Sequence, residues 1–140
     1  MKVMVFGVWD LLHVGHVRFL QKARDLGTML VVGVPTDEVV LADKGQLPII
    51  PLMQRTEMLE ALRCVSQVII YNDLDFIKPL EVVRPNILVV GGDWRGQERH
   101  RKAEAWVRLN DCQMVWLPRM PDVSTTSIRA AAQLGSLARP

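Results

Sequence analysis

The sequence predicts an α/β fold, a doubly wound parallel sheet of about five strands with helices on both faces. Two observations carry that expectation. Valine-rich apolar runs without polar alternation recur along the chain, as in strands buried on both faces. Between them lie segments whose apolar residues recur at helical spacing, so strand and helix alternate throughout. Right-handed crossovers then place helices on both faces of a Rossmann-like sheet, where ligands sit beyond the carboxyl ends of the strands at the reversal of strand order.

Residues 2–6, KVMVF, form the first strand and Gly7 closes it. A helix opening near Val14 carries Val17, Leu20, Ala23 and Leu26 on one side and stops at Gly27. MLVVGV is the second strand, followed by Pro35 and the cap-like TDE. LADKGQLPIIP, with Gly45, Pro48 and Pro51, breaks regular structure and predicts a long loop that carries Lys44. From Leu52 the pattern LMQRTEMLEALRCV is helical, with Met58, Leu59 and Leu62 on one side, and QVIIY is the third strand. A helix near 74–84, the strand NILVVG, a charged helix near 97–109, the strand QMVWL with Trp116 turned into the core, and a helix opened by STTS complete the series.

At 140 residues the chain is read as one domain, 1–140. No apolar stretch approaches the twenty or so residues of a membrane helix, and MKVMVFGVWD meets Asp10 at once and lacks a small-residue cleavage site. Cys64 and Cys112 stand far apart, which fits a reduced chain and a cytoplasmic setting. The net charge of +2 is spread along the sequence, so no extended nucleic-acid footprint is expected.

The stretch GVWDLLHVGH, residues 7–16, places His13 and His16 around Gly15 at the start of a helix, just past a strand. A helix N-terminus attracts anions, Gly15 lets one approach, and both imidazoles can donate to phosphate oxygens. Two other readings stand beside this one. A metal site needs a third ligand, from His100, a cysteine or a carboxylate, and none lies at a zinc spacing. Alternatively, the pair caps the helix or packs. Arg55 and Arg63, eight apart in one helix, share a face and can both meet anions, or Arg55 can pair with Glu57 or Glu60.

Six blocks occur in order: GVWDLLHVGH, VVGVPTDE, DKG, QRTEMLEALRCV, GGDW and PRMPDVSTTSI. Together they resemble the HxGH nucleotidyltransferases, most of all the cytidylyltransferases typified by glycerol-3-phosphate cytidylyltransferase. The resemblance implies attack by a substrate phosphate on the α-phosphate of a nucleoside triphosphate, with pyrophosphate released. It implies catalytic roles for His13, His16 and Lys44, and contacts from Lys44, Arg55 and Arg63 to the substrate phosphate. The nucleotide would lie against Gly7, Val8, Trp9, Asp10, Gly15, Gly91, Asp93, Trp94, Arg119, Ser124, Thr125 and Thr126. Mg2+ would come with the triphosphate, no direct protein ligand is assigned although Asp93 could help hold it, and a homodimer is implied.

The chain departs from the family pattern at Val8, where glycerol enzymes have threonine, and at Met120, Pro121 and Asp122, where Thr, Glu and Gly are usual. The leading reading is transfer of CMP from CTP to a small phosphorylated alcohol such as glycerol 3-phosphate, because Arg119 and the loop KG lean toward cytidine. The alternative is an adenylyltransferase acting on a sugar phosphate such as heptose 1-phosphate, since GVWD and GGDW also look like the blocks of heptose enzymes. A nucleotide sensor without turnover, and nucleic-acid binding through the basic helix, are readings of other classes. In RGQERHRKAEAWVRLN, Trp106 is expected to face inward, and Arg95, Arg99, His100 or Arg101 could meet the second substrate or a partner subunit.

Overall fold

The computed structural model describes residues 1–92, 94, 96–118 and 125–133. In chain order the elements are β1 (Lys2–Phe6), α1 (Val14–Arg24), β2 (Met29–Pro35), α2 (Asp37–Lys44), α3 (Leu52–Glu60), β3 (Gln67–Tyr71), α4 (Ile77–Val83), β4 (Ile87–Val90), α5 (Glu98–Leu109), β5 (Gln113–Trp116) and α6 (Thr125–Gln133). The five strands form one parallel sheet in the order β3-β2-β1-β4-β5, as the valine-rich runs predict. The chain winds outward from β1 through β2 to β3, then returns to place β4 on the other side of β1. Strand order therefore reverses between β1 and β4, at the centre of the sheet.

Strand residues alternate between two buried faces. Val3, Val5, Val32 and Val89 pack with Leu20 and Ala23 of α1 and Leu59 of α3. Met4, Val31, Leu88 and Val90 pack with Leu80 and Val83 of α4 and with Ala103, Trp106 and Val107 of α5. Each fully buried valine or leucine contributes about 1.5–3 kcal/mol over an exposed one, so the paired faces hold the sheet without help from a disulfide. Cys64 and Cys112 are free thiols.

Four expectations are corrected. Residues 41–44 are helical, so Lys44 ends α2 rather than riding on the loop; Gly45, in the left-handed region at φ 77°, stops the helix and its N–H reaches Leu41 O. The inward face of α3 is Arg55, Thr56 and Leu59, while Met58 is 52% exposed. Because α3 ends at Glu60, Arg63 lies beyond it and shares no helical face with Arg55. Trp116 is 56% exposed, because β5 is an edge strand of the sheet. No helix among the described residues is long and apolar enough to cross a membrane.

Candidate active site

Beyond β1 the chain turns sharply. Trp9 and Leu11 both have positive φ, 59° and 49°, which is unusual for bulky residues and is held only where the surroundings determine it. Here the indole of Trp9 is buried and donates to Gly33 O at 3.1 Å. Its ring occupies the space that a side chain on Gly7 would need, within 2.8 Å of an added Cβ. Glycine is required there for that reason.

The turn drives Asp10 inward, to 4% exposure. Its carboxylate accepts the backbone N–H groups of Ile49 (2.8 Å) and Ile50 (2.9 Å) and a guanidinium N–H of Arg129 in α6 (2.8 Å). Asp10 thus lines the cleft while its oxygens join three separate segments of the chain. Asp10→Ala should free the 45–51 loop, read as faster amide exchange at Ile49 and Ile50 than in the parent; unchanged exchange would show that the carboxylate does not anchor them.

At the start of α1, His13 is the N-cap residue. Its Nδ1 accepts the N–H of Gly15 at 3.0 Å, and the Nδ1 of His16 accepts the N–H of His13 at 3.3 Å, a reciprocal capping box built from imidazoles. The rings stack with centroids 3.9 Å apart. An Nδ1 that accepts a hydrogen bond is unprotonated, so both neutral rings carry their proton on Nε2. Capping and phosphate handling are therefore compatible, because they use opposite nitrogens. His13 Nε2 is buried and has no hydrogen-bond partner among the described residues. Such a donor costs about 1–3 kcal/mol until an acceptor reaches it.

Burial lowers the pKa of His13 below its ordinary 6.5. Burial, and next the positive charge of Arg99, lower that of His100. As pH falls below about 6.5 the unfolded chain takes up these protons first, so stability declines toward the lower folded values and these groups cost nothing above 6.5. The urea midpoint should be lower at about pH 5.5 than at about pH 7.5. Equal midpoints would contradict it.

His13, His16, Gly7, Val8, Trp9, Asp10, Gly15, Lys44, Gly91 and Trp94 line one cleft of about 600 Å³ at the carboxyl ends of the central strands. Trp94 stacks on His100 (4.2 Å) and Phe76 (5.5 Å), and its Nε1 donates to Glu104 at 3.0 Å. Asp93, Arg119 and Ser124 lie outside the described residues, and Thr125 and Thr126 open α6 without described side chains.

Residues 4–131 match the family model described as cytidylyltransferase-like. The chain belongs to that family. The chain is 47% identical over 96 residues to the bifunctional protein HldE of Citrifermentans bemidjiense, covering 66% of this chain and 20% of that protein. It is 42% identical over 97 residues to HldE of a Nitratiruptor species, covering 69% and 21%. The chain thus spans about a fifth of the length of these curated relatives. Among solved structures, a lipopolysaccharide core biosynthesis protein from Thermoplasma volcanium aligns with TM-score 0.75 and 28% identity, over 86% of this chain and 98% of that one. A pantoate-beta-alanine ligase from Francisella tularensis, at TM-score 0.62 and 16% identity over 95% and 69%, shares the fold.

Two expected phosphate ligands lie outside the cleft. The side chain of Arg55 is fully buried and its donors are committed to protein: Ile50 O, Val8 O and Pro35 O at 2.9 Å each, and Asp37 Oδ1 at 2.6 Å. A five-donor fork in a dry site takes carbonyls and a carboxylate, and Arg55 braces the cleft from behind. The partner is Asp37 rather than Glu57 or Glu60. Arg63 is exposed and does not line the cleft. Conversely, Tyr71, Phe76 and Gln97 line it and no motif marks them, and Asp43 lines it although the block DKG is read only for its lysine and glycine. Arg99 and His100, named above only as an alternative, line it too.

Proposed function

We propose that this chain is an adenylyltransferase that passes AMP from ATP to the phosphate of a sugar phosphate and releases pyrophosphate. The observation that carries this reading is the set of relatives named HldE, at 38–47% identity across several bacteria, which favours the adenylyl alternative over transfer of CMP from CTP. The name of the Thermoplasma relative, in lipopolysaccharide core biosynthesis, agrees with a sugar acceptor. Of the two features that point toward cytidine, Arg119 lies outside the described residues and the glycine of KG has a sufficient role as the stop of α2.

In the reaction an acceptor phosphate oxygen attacks the α-phosphorus while the bond to the bridging oxygen of pyrophosphate breaks. Negative charge grows on the α-phosphate oxygens and the leaving group. The Nε2–H groups of His13 and His16, at the positively polarised end of α1, donate to that charge, and Lys44 adds a cation from the end of α2. No covalent intermediate is needed, since alignment and neutralisation suffice for such a displacement. Magnesium would arrive on the triphosphate and offset its charge. Among the described residues no three metal-ligating side chains converge, and Asp10 already accepts from Ile49, Ile50 and Arg129. A cytoplasmic homodimer is part of the same reading, and light scattering measures the assembly.

The deciding experiment is pyrophosphate release with magnesium, comparing ATP and CTP against heptose 1-phosphate, other sugar phosphates and glycerol 3-phosphate. Release from ATP with a sugar phosphate is expected. Release from CTP with glycerol 3-phosphate would restore the cytidylyl reading, and binding of triphosphate without release would make the chain a sensor.

A further inference from the structure

The cleft has two flanks. On one, α1 presents His13 and His16, and α6 is drawn to the same wall by the Arg129–Asp10 pair. On the other, α2, α4 and α5 converge around Phe76, Trp94, His100, Arg99 and Asp43. An in-line displacement brings the acceptor in opposite the departing pyrophosphate. With the triphosphate held at the N-terminus of α1, where His13 Nε2 is buried without a partner among the described residues, the acceptor enters from the α2–α5 flank.

That flank has to supply a cation for the acceptor's phosphate. Arg55 is sealed behind the cleft and Arg63 is outside it, whereas Arg99 stands on its wall. The Arg99 guanidinium lies 5.2 Å from the Phe76 ring centroid. Its Nε donates to Gln97 Oε1 at 3.1 Å and its Nη2 to Asp43 Oδ2 at 3.0 Å. The Arg99 and Asp43 side chains are 21% and 22% exposed, and both residues line the cleft. Asp43 immediately precedes Lys44, which places two cations at one mouth. The Trp94–His100 stack beside them offers an apolar platform with polar edges, as a sugar ring requires.

We propose that Arg99 binds the phosphate of the acceptor, and that Asp43 holds the guanidinium in position until the sugar phosphate takes over its hydrogen bond. This rests on the adenylyltransferase reading. A phosphate carries more charge than a carboxylate and matches the guanidinium fork, so the exchange favours the bound acceptor.

The test compares Arg99→Ala and Asp43→Asn with the parent in two assays on the full chain: pyrophosphate release with ATP and heptose 1-phosphate each varied, and calorimetric titration with heptose 1-phosphate. Arg99→Ala should raise the acceptor KM by about tenfold or more and leave the ATP KM within about twofold, while Asp43→Asn leaves the acceptor KM equal or lower. An unchanged acceptor KM in Arg99→Ala overturns the assignment. So does a parallel rise of both KM values in both variants, which is what a purely structural clasp would give. Should the parent release no pyrophosphate with any acceptor, the adenylyltransferase reading falls and the titration decides. Heptose 1-phosphate bound by the parent but not by Arg99→Ala supports the phosphate site, and any other pattern removes it.

Discussion

His16→Ala is expected to lower kcat by about a hundredfold to a thousandfold, the usual effect of deleting one preorganised donor to developing negative charge. The ring lines the cleft and is aligned by the His13 N–H that its Nδ1 accepts, which sends the Nε2 proton to the opposite side of the ring. Because the interaction strengthens as charge accumulates, KM for the triphosphate should change far less than kcat. The fold should survive, since the loss at the α1 terminus is half of a capping box, about 1 kcal/mol. Steady-state pyrophosphate release with circular dichroism of the same sample checks both parts. Turnover near that of the parent would remove His16 from the chemistry.

Arg55→Met should cost about 3 kcal/mol or more of stability, since each buried acceptor left without its donor costs about 1–3 kcal/mol. Methionine fills much of the volume, so the loss is of donors: three carbonyls, from Val8, Pro35 and Ile50, and the carboxylate of Asp37 are left without them. Against a typical domain stability of about 5–15 kcal/mol this brings the chain near unfolding. Arg55→Lys should recover only part of the loss, because one ammonium cannot reach four acceptors in the geometry of a fork. Urea denaturation of the three proteins measures the order, and a midpoint in Arg55→Met equal to the parent's would show that Arg55 braces nothing.

The two arginines show where local reading of this sequence succeeds and where it stops. The strands were legible because burial on both faces leaves a one-dimensional mark, an unbroken valine-rich run. The start of α1 was legible because His13, Val14 and Gly15 are neighbours in sequence and in space. The end of α2 is hidden in the sequence because Pro48 and Pro51 mark a second break beyond the one that Gly45 makes. The setting of Arg55 depends on Val8, which is distant in sequence, and that of Arg99 on Asp43, farther still. Trp116 carries an apolar side chain that sequence alone places inside, whereas its position is set by which strand ends the sheet.

The strand order also bears on how the chain is made. In the finished sheet β1 is central, paired with β2 along one edge and with β4 along the other. During synthesis the β2 partner arrives early, but the β4 partner spans Ile87–Val90. At roughly 5–20 residues per second, several seconds pass between the two, and throughout them the second edge of β1 offers unpaired N–H and C=O groups to any neighbouring strand. Of the three strands paired on both sides in the mature sheet, β1 is the one that waits longest for its second neighbour.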